Sequence, residues 1–300
     1  MPDPILSAVA LAFFAAQAAP PEPIPLTHSV NAYAAFSPDG RRLVYQSSAA
    51  GQFDIHEIAR DGTSIRVLIA SPAADITPVF SPDGKKLLFV SERDGNREIY
   101  SANADGTGLV NLTNHPANDI HPAFSADGRR ILFSSSRTAT HPDDFDIFEM
   151  AADGSDVRQI TRGPDVDTYA SWSPDGAKIV TRRVVGGNSE VFVMDRDGGN
   201  AKNLTNAPAD YDGWPVWSPD GSRIAYAGGG PDNGNHYIFL VKPDGTERVQ
   251  VTFAREGTTY CYDTQPVFAP DGDWIAFTRY RPSVRFESAE ICLVRVPRPA

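Results

Sequence analysis

Short apolar runs, each only a few residues long and broken by polar turns, follow one another along most of this chain. The stretch from Pro78 to Thr113 has the clearest pattern. Pro78-Val79-Phe80 ends at a Ser-Pro-Asp-Gly turn, and Leu87-Leu88-Phe89-Val90 follows as a second run rich in strand-forming residues. A polar loop carrying Asp94-Gly95 leads to a third run, Glu98-Ile99-Tyr100-Ser101. Asp105-Gly106 then turns the chain into a fourth, Leu109 to Thr113. Proline pre-sets φ for such a turn and Asp-Gly tolerates positive φ, so each break reads as a hairpin between antiparallel strands. No long stretch carries apolar residues at helical spacing.

The same unit recurs. Ser37-Pro38-Asp39-Gly40, Ser81-Pro82-Asp83-Gly84, Ser125-Ala126-Asp127-Gly128, Ser173-Pro174-Asp175-Gly176, Ser218-Pro219-Asp220-Gly221 and Ala269-Pro270-Asp271-Gly272 are separated by 44 to 51 residues. The third-strand pattern returns at Asp54-Ile55-His56, Asp146-Ile147-Phe148, Glu190-Val191-Phe192 and Glu290-Ile291-Cys292. Four-stranded units at this period predict a β-propeller, here all-β with six antiparallel blades. The sixth unit runs out after its third strand, while Ile24-Pro25-Leu26-Thr27 is a lone copy of the fourth. Residues 24–27 are therefore expected to complete the last blade and close the ring, removing open sheet edges. Residues 24–297 form the expected propeller, with no room for a second domain.

Upstream, the apolar run Ile5 to Ala16 and the small-x-small site Ala16-Gln17-Ala18 predict a signal peptide over 1–18, with a proline-rich linker over 19–23. Met1-Pro2-Asp3-Pro4 lacks the basic residues of such a signal, which a natural start upstream of Met1 would account for. The expected location is the periplasm or outside the cell. The apolar run is too short to span a bilayer. A net charge of −11 argues against nucleic acid and anionic membrane surfaces as partners. Cys261 and Cys292 leave a disulfide open, although Cys292 holds a third-strand position that favours burial between blades.

In a propeller the tight Ser-Pro-Asp-Gly and Asp-Gly turns share one face. The other face carries the connections that vary in length, and binding is expected there. Counting back from each turn places Asn31, Asp75, Asp119, Asp167, Asp212 and Asp263 around the mouth of the central channel. Two residues further on stand Tyr33, Thr77, His121, Tyr169, Trp214 and Gln265. The acids have two readings. Each caps its own loop or pairs with an arginine, with Arg93, Arg137, Arg182 and Arg279 as candidates, or together they hold a cation or a basic group. Tyr169, Tyr211, Trp214, Tyr260 and Tyr262 fall in the blade connections, where aromatic residues either pack the loops or act as binding hot spots. The histidines, including His121, show no metal-ligand spacing, and no nucleophile elbow or phosphate loop is present. No catalytic residue and no cofactor is expected, a cation at the acidic ring being the one metal left open.

Asp75 to Thr113, with Asp-x-x-Pro-x-Phe-Ser-Pro-Asp-Gly, an apolar strand, Ser-x-Arg and Ile-Tyr before Asp-Gly, resembles the TolB-type propeller repeat. The resemblance extends over about residues 24–297. About 23 residues precede the first strand, so the likeness is to the propeller of that family without its N-terminal α/β domain. It implies an exported protein-binding propeller. With the lack of any catalytic constellation, the expected protein is a non-enzymatic monomer that binds a protein or peptide in the cell envelope, without membrane insertion. The competing reading is a propeller enzyme, a lyase or lactonase-like hydrolase, using acids at the channel mouth.

Overall fold

The computed structural model describes residues 24–27, 30–139, 144–207, 211–229, 234–254, 261–280 and 289–297. The predicted signal peptide and linker lie outside them. Every regular element among the described residues is a strand. β1 is Ile24–Pro25. The next four are β2 (Asn31–Phe36), β3 (Arg42–Ser47), β4 (Asp54–Ala59) and β5 (Arg66–Ile69). Then come β6 (Asp75–Phe80), β7 (Lys86–Ser91), β8 (Glu98–Asn103) and β9 (Val110–Asn111), followed by β10 (Asp119–Phe124), β11 (Arg130–Ser135), β12 (Asp146–Ala151) and β13 (Arg158–Gln159). The chain continues through β14 (Val166–Trp172), β15 (Lys178–Val185), β16 (Asn188–Asp195) and β17 (Lys202–Asn203). It ends with β18 (Gly213–Trp217), β19 (Ile224–Gly229), β20 (His236–Val241), β21 (Val249–Gln250), β22 (Tyr262–Phe268), β23 (Trp274–Tyr280) and β24 (Ala289–Arg295).

The first sixteen strands after β1 form four separate four-stranded sheets, each in sequence order. The rest form one larger sheet in the order β1-β24-β23-β22-β20-β19-β18, with β21 on β20. A single parallel pair, His236 with Tyr262, joins its two halves. β1 lies antiparallel to β24, with Ile24 opposite Leu293 and Pro25 opposite Cys292. Thr27 Oγ1 accepts a 3.0 Å bond from the Ile291 amide. Thr113, Thr161, Thr205 and Thr252 accept the equivalent bond from Ile99, Ile147, Val191 and Ile238.

The middle strands read as continuous apolar runs because both sheet faces are buried. Along β7, Leu87 and Phe89 pack with Val44, Ile55 and Tyr100. Their neighbours Leu88 and Val90 point the other way, into a cluster with Ile131, Phe133 and Met150. Alternate side chains of one strand thus join it to two different neighbours, and burying each contributes about 1.5–3 kcal/mol. A further cluster unites Leu26, Phe36, Leu43 and Tyr45 with Ala276, Ile291 and Leu293 from the other end of the chain. Cys261 and Cys292 are both buried, and no disulfide joins them.

The repeated turn has a defined chemistry. Ser37 Oγ donates to Asp39 at 2.6 Å and accepts from the Arg42 amide at 3.0 Å, while the Gly40 amide bonds the Ser37 carbonyl at 2.8 Å. Gly40 has φ 68°, where a side chain would be strained. The turns also touch one another. Gly84, Gly128 and Gly221 each lie against the proline of the preceding turn, Pro38, Pro82 and Pro174, and Gly40 lies against Pro270. Gly176 and Gly272 have no such neighbour; the turn before Gly176 has Ala126 in place of proline, whereas the turn before Gly272 keeps Pro219.

Candidate functional site at the channel mouth

Each innermost strand is interrupted at the same place. The ladder register shifts between Ala32 and Ala35, Ile76 and Val79, Ile120 and Ala123, Thr168 and Ser171, Gly213 and Val216, and Thr264 and Val267. Inside each bulge one non-glycine residue takes positive φ: Tyr33 at 54°, Thr77 at 51°, His121 at 54°, Tyr169 at 57°, Trp214 at 52° and Gln265 at 53°. Such a conformation is costly, above all for β-branched Thr77. A bulge re-aims its side chain, and all six line one cavity of about 200 Å3 with the prolines that follow Thr77, His121, Trp214 and Gln265. The displaced amides are answered across units: Thr77 N donates to Gln46 Oε1 at 3.0 Å and Tyr33 N to Gln265 Oε1 at 3.2 Å.

The acids two residues upstream lie deeper. Asn31, Asp75, Asp119, Asp167, Asp212 and Asp263 are all buried. Arg93 Nη2 reaches both Asp75 oxygens at 2.9 and 3.2 Å. Arg137 holds Asp119 at 2.7 and 3.3 Å, Arg183 holds Asp167 at 2.8 and 2.9 Å, and Arg279 holds Asp263 with two bonds of 2.7 Å. Burial nevertheless raises the Asp167 carboxyl above its ordinary value, outweighing Arg183. One expected partner is corrected here: Asp167 pairs with Arg183, not Arg182. Arg183 stands directly opposite Asp167 in the β14–β15 ladder, and adjacent Arg182 therefore points to the other face.

The aromatic candidates meet in a chain of ring contacts that starts at the cavity. His121 stacks on Tyr169 with centroids 3.7 Å apart, and the Tyr33 and Tyr169 hydroxyls lie 3.0 Å apart. Burial pushes both phenols up, so both stay protonated. Tyr169 touches Trp214 at 5.7 Å, Trp214 touches Tyr211 at 5.6 Å, and Tyr211 stacks on His236 at 5.7 Å. His236 stacks on Tyr262 at 4.3 Å, and Tyr262 meets the edge of Tyr280. Tyr260 lies outside the described residues. Counting from the turns does not find His236, Tyr280 or Arg97, which belong to connections of unequal length.

A second cavity, of about 380 Å3, shares Tyr33, Thr77, His121 and Tyr169 with the first and adds Arg97, Phe145 and Arg182. Arg97 and Phe145 directly precede the third strands β8 and β12, so this cavity lies on the side of the variable connections. Burial first, then the Arg182 and Arg97 charges, lower the His121 pKa to about 3. Its imidazole is neutral at physiological pH, and the buried Nδ1 has no hydrogen-bond partner among the described residues. Among the described residues no group of three His, Cys, Asp or Glu stands together as a metal site. No helix there is long and apolar enough to cross a membrane.

The TolB beta propeller domain family matches residues 21–110 and 76–251. No curated protein matches the chain. Among solved structures it is similar to a putative TolB from Agrobacterium tumefaciens, at 20% identity and TM-score 0.68, over 90% of this chain and 91% of that one. It is similar to TolB from Acinetobacter baumannii at 19% identity and TM-score 0.64, over 87% of this chain and 63% of the other. A gluconolactonase from Xanthomonas campestris gives 16% identity and TM-score 0.65, over 92% and 95% of the two chains. At these identities the likeness shows the fold.

Proposed function

The chain belongs to the TolB beta propeller domain family, and from that premise we propose that it is an exported, non-enzymatic propeller binding a protein or peptide of the cell envelope through its variable-connection face. We take the fold as six blades, the large sheet being two of them, with β1 completing the last. The antiparallel β1–β24 pairing and the Thr27 bond to Ile291 support that closure. The apolar segment Ile5 to Ala16 supports export.

The observation that carries the reading is the aromatic chain from Tyr169 through Trp214 and Tyr211 to His236 and Tyr262. It starts in a cavity built from six strained bulge residues and includes Tyr211, which stands in the connection before β18 and is exposed. Strain of this kind persists where the surroundings enforce it and clusters at binding sites, and aromatic side chains dominate binding hot spots. The test is crosslinking pull-down from native envelope with the wild type and Trp214→Ala. A specific partner held by the wild type and weakened at least about 30-fold in the variant supports the reading. Recovery of nothing specific by the wild type overturns it.

One observation favours the enzymatic alternative: His121 faces a cavity with its Nδ1 lacking a hydrogen-bond partner among the described residues, placed to bond a substrate group. The gluconolactonase likeness makes sugar lactones the substrates to try. Lactone hydrolysis abolished by His121→Gln would favour it over the binding reading.

A further inference from the structure

Arg182 differs from the arginines that neutralise the buried acids. Its Nε donates to Ser189 Oγ at 2.8 Å and its Nη1 to Thr168 Oγ1 at 3.0 Å, and the guanidinium lies 5.0 Å from the Tyr211 ring centre. Its side-chain hydrogen-bond partners among the described residues are hydroxyls, and no carboxylate among those residues forms an ion pair with it. The fork is held still by these contacts while part of it stays open to the cavity that it lines with His121, Tyr169 and Phe145. Arg97 stands on the same cavity. It pairs with Glu92 through Nε at 2.9 Å, but its side chain is 47% exposed and the end of its guanidinium remains for another partner.

A cavity with two guanidinium groups is notable in a chain of net charge −11. It is a local positive field on an acidic molecule, and a low-dielectric wall of Tyr169 and Phe145 strengthens it. His121 cannot add a positive charge there, which leaves its ring as a flat wall. The space, about 380 Å3, suits one side chain or chain end with its neighbour. A carboxylate matches an arginine fork through two parallel bonds.

Resting on the binding role proposed above, we propose that the Arg97–Arg182 cleft beside His121 receives a carboxylate of the bound peptide, supplied by an Asp or Glu side chain or by the chain's C-terminus, with an apolar or aromatic residue next to it. Arg182 is the anchor and Arg97 steers the approaching anion. The aromatic chain from Tyr169 to Tyr262 then takes the apolar remainder of the segment.

Three pentapeptide probes test this with the whole protein: acetyl-Gly-Phe-Asp-Phe-Gly-amide, the same peptide with Asn for Asp, and the Asn peptide with a free C-terminal carboxylate. Binding is read from the ring signals of His121 in protein with 15N-labelled histidine. The Asp peptide, the free-acid peptide or both bind at least about tenfold more tightly than the neutral peptide, and which one does identifies the source of the carboxylate. Arg182→Gln removes that preference. Arg97→Gln, at an exposed site where folding is not at issue, lowers it several-fold and flattens its salt dependence. Equal affinity for charged and neutral peptides, or no binding by any of them, overturns the proposal, as does a preference that both variants retain. If the wild type captures an envelope partner and Arg97→Gln and Arg182→Gln capture it equally, the carboxylate assignment fails while the binding role stands. Failure of the wild type to capture any partner defeats the binding role itself.

Discussion

Replacing Asp263 by Asn removes the charge from one half of a pair sealed from solvent. Asp263 is fully buried, the Arg279 side chain is 7% exposed, and two bonds of 2.7 Å join them. Asn keeps the shape and one acceptor but leaves the guanidinium charge uncompensated beside the buried Cys261 thiol, 3.7 Å away. Breaking a buried pair in this way costs about 3–5 kcal/mol. The exposed pair Asp83–Lys85, at 58% and 81% exposure, is the control, and Lys85→Ala, which removes the pair but keeps the turn bonds of Asp83, should leave stability almost unchanged. Asp75→Asn should fall between the two, since Arg93 is 21% exposed and can turn to water. Equilibrium urea unfolding measures all three, and the Asp263 variant should also melt roughly 6 °C or more below the parent. A companion variant, Asp263→Leu with Arg279→Met, removes both charges and should recover most of the loss. If Asp263→Asn costs no more than Lys85→Ala, the pair is not sealed and the reasoning fails.

Ala126→Pro restores the turn proline that Gly176 lacks and should stabilise the protein by about 0.4–1 kcal/mol, read as a shift in the urea midpoint. Gly106→Ala should cost about 2–3 kcal/mol, because a Cβ there would lie 2.2 Å from the Leu68 carbonyl oxygen at φ 88°, whereas Gly176→Ala meets open space and should lose less in the same assay. Thr27→Val leaves the buried Ile291 amide without its acceptor and should cost about 1–3 kcal/mol. His121 should remain neutral in NMR titration until about pH 3. Its folded pKa lies below the unfolded value of 6.5, so its stabilising contribution is complete above pH 6.5 and is lost as pH falls toward 3. His121→Gln should flatten the loss of stability in that window.

The strands and turns were legible in the chain because each blade strand has its own apolar run and its own Asp-Gly break. The bulge residues were legible as addresses, two places after Asn31, Asp75, Asp119, Asp167, Asp212 and Asp263, although nothing in the letters announces positive φ at Thr77 or Trp214. The fate of the acids was harder to read. A carboxylate every 44 to 51 residues fits a cation ring as well as a set of ion pairs. The choice depends on which arginine faces back across the hairpin, and neighbouring residues on a strand face opposite ways. Hence Arg182 and Arg183 exchange roles on a one-residue difference in register. Arg97, His236 and Tyr280 were not legible because they reach the site from connections whose lengths follow no period.

The six bulges have a consequence for how this molecule can change. Side chains on the strands behind them are packed into buried clusters, alternate residues to opposite sides, and a substitution there disturbs the packing against a neighbouring sheet. The bulged residues instead line one cavity and touch chiefly one another, Gln265 alone also holding a displaced amide, that of Tyr33. Tyr, Thr, His, Tyr, Trp and Gln occupy equivalent places on nearly the same backbone angles. The mouth is thus a set of six exchangeable slots at known positions, and its selectivity can drift or be rewritten by point substitution while the ring behind it keeps its shape.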